Sequence, residues 1–358
     1  MKSAICCFCA LLLTLACLLT GCGGDRGPVV MEYGGVRLTE DIYRYWVACY
    51  KAQFAYDLNE ENREEIYELI DKNIKKSLVA VGLFNRYGLQ LSSTAREQID
   101  RGLDMLVEDI GGGNRGMFNE ATAMYGIGYD GLKIAFTYEQ MAAALREYLF
   151  GEDGYYSISK EQYANYCEET YARVRMIYIS LVDFATDEDD LRIWDSESGS
   201  YVYTEKSFEE LAAQNAKLDE LRAALASVHS EEEFLKLVER YNEDPSAKDY
   251  TDGYYFSSEM DYSDYIDEVP PAALACKEGE VTEVRSEIGV HFLFRTAPTE
   301  EAWDKAVNRD FFEGFTERVR YHYFELAVST ELPGVTVYAA VKDEIDLESI
   351  PANWELYW

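Results

Sequence analysis

Near Val174 the apolar pattern of this chain changes its period, and that change limits the folds open to it. Before that point the apolar side chains recur at helical spacing, as in Ile42, Tyr45, Trp46, Cys49 and Tyr50. From Val174 the pattern becomes two-fold: Val174, Met176, Tyr178 and Ser180 alternate with Arg175, Ile177, Ile179 and Leu181. Apolar residues in both phases predict a strand covered on both faces. A long helical stretch feeding such a strand is neither an all-helical nor an all-strand protein. The pattern predicts an α+β chain.

The remaining punctuation gives the order of elements. Residues 29–38 read as a strand broken by a turn at Gly34-Gly35, and Thr39 with Glu40 and Asp41 opens the first helix. Further helices are predicted near 61–87, 93–109, 116–125 and 129–150. Ser159-Lys160-Glu161-Gln162 is a capping box for a helix through Tyr171. Residues 183–203 are polar and acidic, a loop or small insertion. Ser207-Phe208-Glu209-Glu210 caps a helix to about Val228, and Ser230 opens another through Arg240. Short strands are predicted at 254–256 and 289–295. Thr299 is predicted to cap a long helix through Ala327, and residues 335–338 to form a closing strand. The expected organisation is an α+β domain, 173–297, inserted into a helical domain formed by 29–172 and 298–358.

The first 21 residues carry one lysine, Lys2, then an apolar block up to Leu19. That is a secretion signal, too short for a span that needs roughly 20 apolar residues. Leu19-Thr20-Gly21-Cys22 resembles the bacterial lipobox, which implies that Cys22 is lipidated. Residues 22–28 then serve as a tether. The expected location is the extracytoplasmic side of the cell membrane, held by the lipid anchor. With 67 acidic against 33 basic residues the formal charge is −34, which argues against a nucleic-acid partner. Beyond the leader and Cys22, only Cys49, Cys167 and Cys276 remain. They are too scattered for a disulfide framework or a zinc site, and Cys49 and Cys167 are expected to be buried in helices.

Several patterns carry no chemistry. Gly111-Gly112-Gly113-Asn114-Arg115-Gly116 and Gly126-Ile127-Gly128-Tyr129-Asp130-Gly131 both fit G-x-G-x-x-G, but neither follows the strand of a βαβ unit. Both are expected to be turns between helices. His229, His291 and His322 lack metal-ligand spacing. Neither a cofactor nor a metal is expected. A solute-binding lipoprotein would need two lobes of repeated βαβ units, and the pattern holds none.

The stretch 174–297 resembles a parvulin-type prolyl isomerase domain, piece by piece. The strand at Val174-Arg175-Met176-Ile177-Tyr178-Ile179-Ser180-Leu181 is similar to the first parvulin strand. The helix and loop from Phe234 to Ala247, then Thr251-Asp252-Gly253-Tyr254-Tyr255-Phe256 with Met260, follow in family order. Leu274-Ala275-Cys276-Lys277-Glu278-Gly279-Glu280-Val281 and the strand Ile288-Gly289-Val290-His291-Phe292-Leu293-Phe294-Arg295 complete the set. With the strand–turn–helix start and the closing helix and strand, the chain resembles the PrsA/SurA-type extracytoplasmic foldases.

The resemblance implies a cluster of His291, Asp244 and Tyr178, and a proline pocket of Met260, Tyr265 and Phe256. Tyr178 stands where the family has its other histidine, so it can supply one hydrogen bond but not a relay between two imidazoles. The implied function is peptidyl-prolyl isomerisation, chaperoning of exported proteins, or both. The alternative is a catalytically silent holdase. In either case the expected partners are unfolded or partly folded exported proteins and, through the lipid, the membrane.

Overall fold

A computed structural model describes residues 27–186, 192–195, 200–260, 262 and 266–356. The protein is α+β, as expected, and divides into two compact units, Met1–Ser157 with Arg320–Trp358, and Ile158–Val319.

In the first unit β1 (Val29–Tyr33) and β2 (Val36–Thr39) form the expected hairpin, and Thr336–Val337 pairs antiparallel with β1. The helices are α1 (Glu40–Gln53), α2 (Arg63–Arg86), α3 (Ser93–Gly111), α4 (Arg115–Thr122) and α5 (Tyr129–Phe150). Their apolar faces supply a core of Ile42, Tyr45, Ile74, Leu78, Leu103, Phe118, Leu132 and Phe136. Both glycine patterns lie at turns: Gly112 ends α3 in the left-handed region, and Gly126 ends the 3₁₀ turn that follows α4. Gly82 of α2 sits under the Tyr33 ring, and a Cβ there would come 3.1 Å from the Tyr33 carbonyl oxygen. The C-terminal segment is held by buried polar groups. The Lys51 ammonium donates to the carbonyls of Leu347 (3.0 Å) and Ile350 (2.5 Å), and the buried Asn353 backbone N–H donates to Ala48. Cys49 is half-buried rather than buried, while Cys167, in the second unit, is buried.

The second unit opens with α6 (Lys160–Thr170), whose capping box forms as expected: the Ser159 hydroxyl accepts from the Gln162 N–H, and the Gln162 side chain accepts from the Ser159 N–H. It leads into β3 (Tyr171–Ser180). A small hairpin of β4 (Val182–Phe184) and β7 (Tyr203–Glu205) brackets the short pair β5 (Trp194–Asp195) and β6 (Ser200–Tyr201). Helices α7 (Phe208–Leu225) and α8 (Glu231–Tyr241) follow, then β8 (Tyr254–Ser257), α9 (Val269–Ala275), β9 (Val281–Arg285) and β10 (Gly289–Thr296). The strands make one antiparallel sheet in the order β8-β3-β10-β9.

The two-fold period of β3 assigns its faces. Ile177 and Ile179, with Val290, Phe292 and Phe294 of β10, pack against Leu218 and Leu221 of α7 and Phe234 of α8. Burying each such side chain stabilises the unit by about 1.5–3 kcal/mol. The other phase, Met176 and Tyr178, turns to the opposite face.

Two expectations need correction. Thr299 does not cap a long helix. Its hydroxyl donates to the Asp252 carboxylate (2.7 Å), and the chain runs through 3₁₀ turns at Ala302–Asp304 and Ala306–Phe312. Gly314, in the left-handed region (φ 67°), interrupts the run, and a helix starts only at Phe315–Thr330. The segment before β10 also holds a strand, β9, which is not among the strands predicted from the sequence. β9 is an edge strand with Val284 as its one buried residue, so it carries little apolar pattern. Among the described residues no helix is long and apolar enough to cross a membrane. Cys22 lies outside the described residues.

Candidate active site

The face of the sheet away from α7 and α8 forms the floor of a cavity of about 570 Å³. The register of β3 and β10 places Tyr178 directly opposite His291, and Met176 opposite Leu293. Tyr178 and His291 are therefore neighbours on one face. Their rings stack with centroids 4.9 Å apart and planes inclined by 28°. Both are almost fully buried, at 2% and 1% exposure.

Their hydrogen bonds run elsewhere. The Tyr178 hydroxyl donates to the Ile288 carbonyl (2.9 Å), so it does not supply the histidine with the hydrogen bond that the sequence suggests. The partner of His291 is Ser286, whose hydroxyl lies 3.1 Å from Nε2 and also donates to the Gly289 carbonyl (3.4 Å). Which of Ser286 and Nε2 donates in that contact depends on which imidazole nitrogen carries the proton. Nδ1 is buried and has no hydrogen-bond partner among the described residues. Burial lowers the His291 pKa to about 4, against a smaller opposing effect from Asp244, so the ring is neutral at pH 7. Burial raises the Tyr178 pKa to about 12. The close stacking depends on Gly289: a Cβ there would stand 2.6 Å from the Tyr178 ring.

Asp244 lines the same cavity, at the start of the 3₁₀ turn Pro245–Lys248. One carboxylate oxygen accepts from the Ser246 N–H (3.0 Å) and hydroxyl (2.7 Å), the other from the Tyr254 hydroxyl (3.0 Å). Asp244 is thus fixed by its own turn and by β8. Met260 and Phe256 also line the cavity; Phe256 is fully buried, and the Met260 thioether accepts from the Tyr171 hydroxyl (3.6 Å). The structure therefore brings together His291, Asp244, Tyr178, Met260 and Phe256. Tyr265 lies outside the described residues.

Sequence reading missed several parts of the cavity. Ser286 precedes the β10 strand in an unremarkable turn, and only the fold shows its hydroxyl against His291. Arg192 comes from the polar insertion; its guanidinium lies 4.0 Å from the Phe184 ring centroid and 5.6 Å from that of Tyr178. Phe311, in the segment expected to be a long helix, closes one wall against Tyr250 (5.4 Å) and Tyr254 (6.2 Å). No spacing rule would have singled these out. Among the described residues no group of three or more His, Cys, Asp or Glu is placed to hold a metal ion.

Chemically, the cavity offers an apolar and aromatic lining with a neutral imidazole on its floor and the Asp244 carboxylate beside it. It suits a bulky apolar group attached to a polar backbone.

No family model matches the chain, and no curated protein does. Among solved structures it is similar to PrsA from Bacillus subtilis, at 18% identity over 79% of this chain and 86% of that one, with a TM-score of 0.23. It is similar to the peptidylprolyl isomerase PrsA from Bacillus cereus at 15% identity, over 84% and 92% of the two chains, with a TM-score of 0.25. The foldase protein PrsA from Streptococcus pneumoniae matches at 13% identity, over 83% and 96%, with a TM-score of 0.23.

Proposed function

We propose that the protein is an extracytoplasmic foldase, lipid-anchored through Cys22, whose second unit binds prolyl segments of exported proteins and catalyses their cis–trans isomerisation. The observation that supports it is the pairing of Tyr178 with His291 on the floor of a cavity shared with Phe256 and Met260.

Rotation about an X–Pro bond has a barrier of about 20 kcal/mol, because amide resonance is lost on the way. No covalent step is required. The planar amide is more polar than the twisted one, so moving it from water to an apolar site favours the twisted state. Phe256, Met260 and Phe311 supply the apolar surround, the neutral His291 adds no charge there, and Asp244 is held beside it by Tyr254 and Ser246.

One observation favours a second reading, a holdase without catalysis: the Tyr178 hydroxyl is bound to a backbone carbonyl and is not offered to a substrate. An exchange assay on a short Leu-Pro peptide separates the two. Isomerisation is expected to run above the buffer rate, with Met260→Ala lowering kcat/KM about tenfold through loss of apolar contact. Saturable binding with no acceleration would leave only the holdase, and no binding at all would remove both readings.

A further inference from the structure

The wall of the cavity that follows the sheet in sequence carries charge as well as apolar surface. Asp310 and Glu313 flank the buried Phe311 and Phe312, line the cavity and are exposed. Their position is fixed from behind, because the buried Asn308 amide donates to the Asp252 carboxylate (2.8 Å). The other charged groups lining the cavity are already engaged: Asp244 by Ser246 and Tyr254, Arg192 by the faces of Phe184 and Tyr178. A separate feature marks the same cavity as a ligand site. His291, 1% exposed, lines it, and its buried Nδ1 has no hydrogen-bond partner among the described residues.

We propose that Asp310 and Glu313 make this cavity select prolyl segments that carry lysine or arginine beside the proline. The inference rests on the prolyl-peptide reading of the site and specifies its substrate class. A segment seated with its proline on Phe256 and Met260 presents its neighbouring side chain to the wall holding the two carboxylates. The net charge of −34 acts in the same sense at longer range, drawing cationic segments toward the protein. Exposed ion pairs are individually weak, so the selection is a matter of several-fold, not of orders of magnitude.

The test uses the full chain and three fluorescent peptides differing only in the residue before proline, which is lysine, glutamine or glutamate. At low salt the lysine peptide is expected to bind about fivefold tighter than the glutamate peptide, with glutamine between them. The ratio should fall toward one with the double substitution Asp310→Asn, Glu313→Gln, and also in wild-type protein at high salt. The matched double substitution Glu152→Gln, Asp153→Asn, at exposed acidic residues of the first unit, controls for overall charge. Equal affinities, or a ratio that falls no further in the cavity variant than in this control, would overturn the selectivity while leaving the prolyl site standing. Failure of all three peptides to bind saturably would remove the site itself, and the selectivity with it.

Discussion

Replacing Asp252 by alanine is expected to destabilise the second unit by about 1.5–3 kcal/mol, the cost of removing a charged acceptor shared by several donors. Its carboxylate accepts from the Thr299 hydroxyl (2.7 Å), the Asn308 amide (2.8 Å) and the Tyr255 hydroxyl (2.9 Å), with the Lys305 ammonium at 3.3 Å. The Arg173 guanidinium, itself buried, lies 3.7 Å away. Burial alone would raise the Asp252 pKa, but the hydrogen bonds from Asn308, Thr299, Tyr255 and Lys305 outweigh it and hold the carboxyl at about 2. Alanine would remove the acceptor these donors share, while Asn308 keeps the Ala302 carbonyl, Arg173 keeps Glu231, and Tyr255 and Thr299 keep each other. Amide exchange at Ile177 and Ile179 reports on this unit alone, and there the protection should drop by the stated amount. A loss below about 1 kcal/mol would mean that the network is not what fixes the 302–312 segment. Because that segment carries Phe311 and Asp310, the same substitution should also weaken peptide binding.

The second large effect is a pH dependence set by His291. Its folded pKa lies near 4, below the ordinary value of 6.5, because burial disfavours the imidazolium. Between those two values the unfolded chain takes up a proton that the folded chain refuses. Stability is therefore complete above about pH 6.5 and falls as the pH drops toward 4, by about 3 kcal/mol in all. The depressed carboxyls of Glu231, Glu243 and Asp252 act in a lower window, since their stabilising contribution is lost only below their ordinary values of 4.5 and 3.8. Urea denaturation at pH 7 and pH 4.5 should show a loss of roughly 2–3 kcal/mol in wild-type protein that is absent from His291→Phe. Parallel losses in the two proteins would contradict a buried neutral histidine.

How much of this was legible in the sequence depends on how local the cause is. The helix predicted at 129–150 matches Tyr129–Phe150, and the Ser159 and Ser207 capping boxes form, because helix ends are decided by residues three or four apart. The strand around Tyr178 was legible because both of its faces are buried, whereas its grouping with His291 was implied only by the family resemblance, and the strand register supplies the pairing. The edge strand Val281–Arg285 was not, since exposure removes the pattern that would reveal it. The 302–312 segment read as helical because Thr299 looks like the cap of a long helix. Its real anchor is Asp252, some fifty residues earlier, and no local rule sees that contact. The same holds for the site's polar partners. Ser286 and Ile288 take the bonds of His291 and Tyr178 because the turn before β10 folds back over them. The contribution of Arg192 depends on a cation–ring geometry invisible in a polar, acidic stretch.

The most direct test of the prolyl-site account is a titration of the full chain, labelled at histidine and tyrosine side chains, with a proline-containing peptide. The account predicts that the His291 and Tyr178 signals shift together and saturate, with the proline ring showing close proton contacts to Phe256 and Met260. Saturable binding that leaves both signals unmoved would place the peptide elsewhere and contradict it.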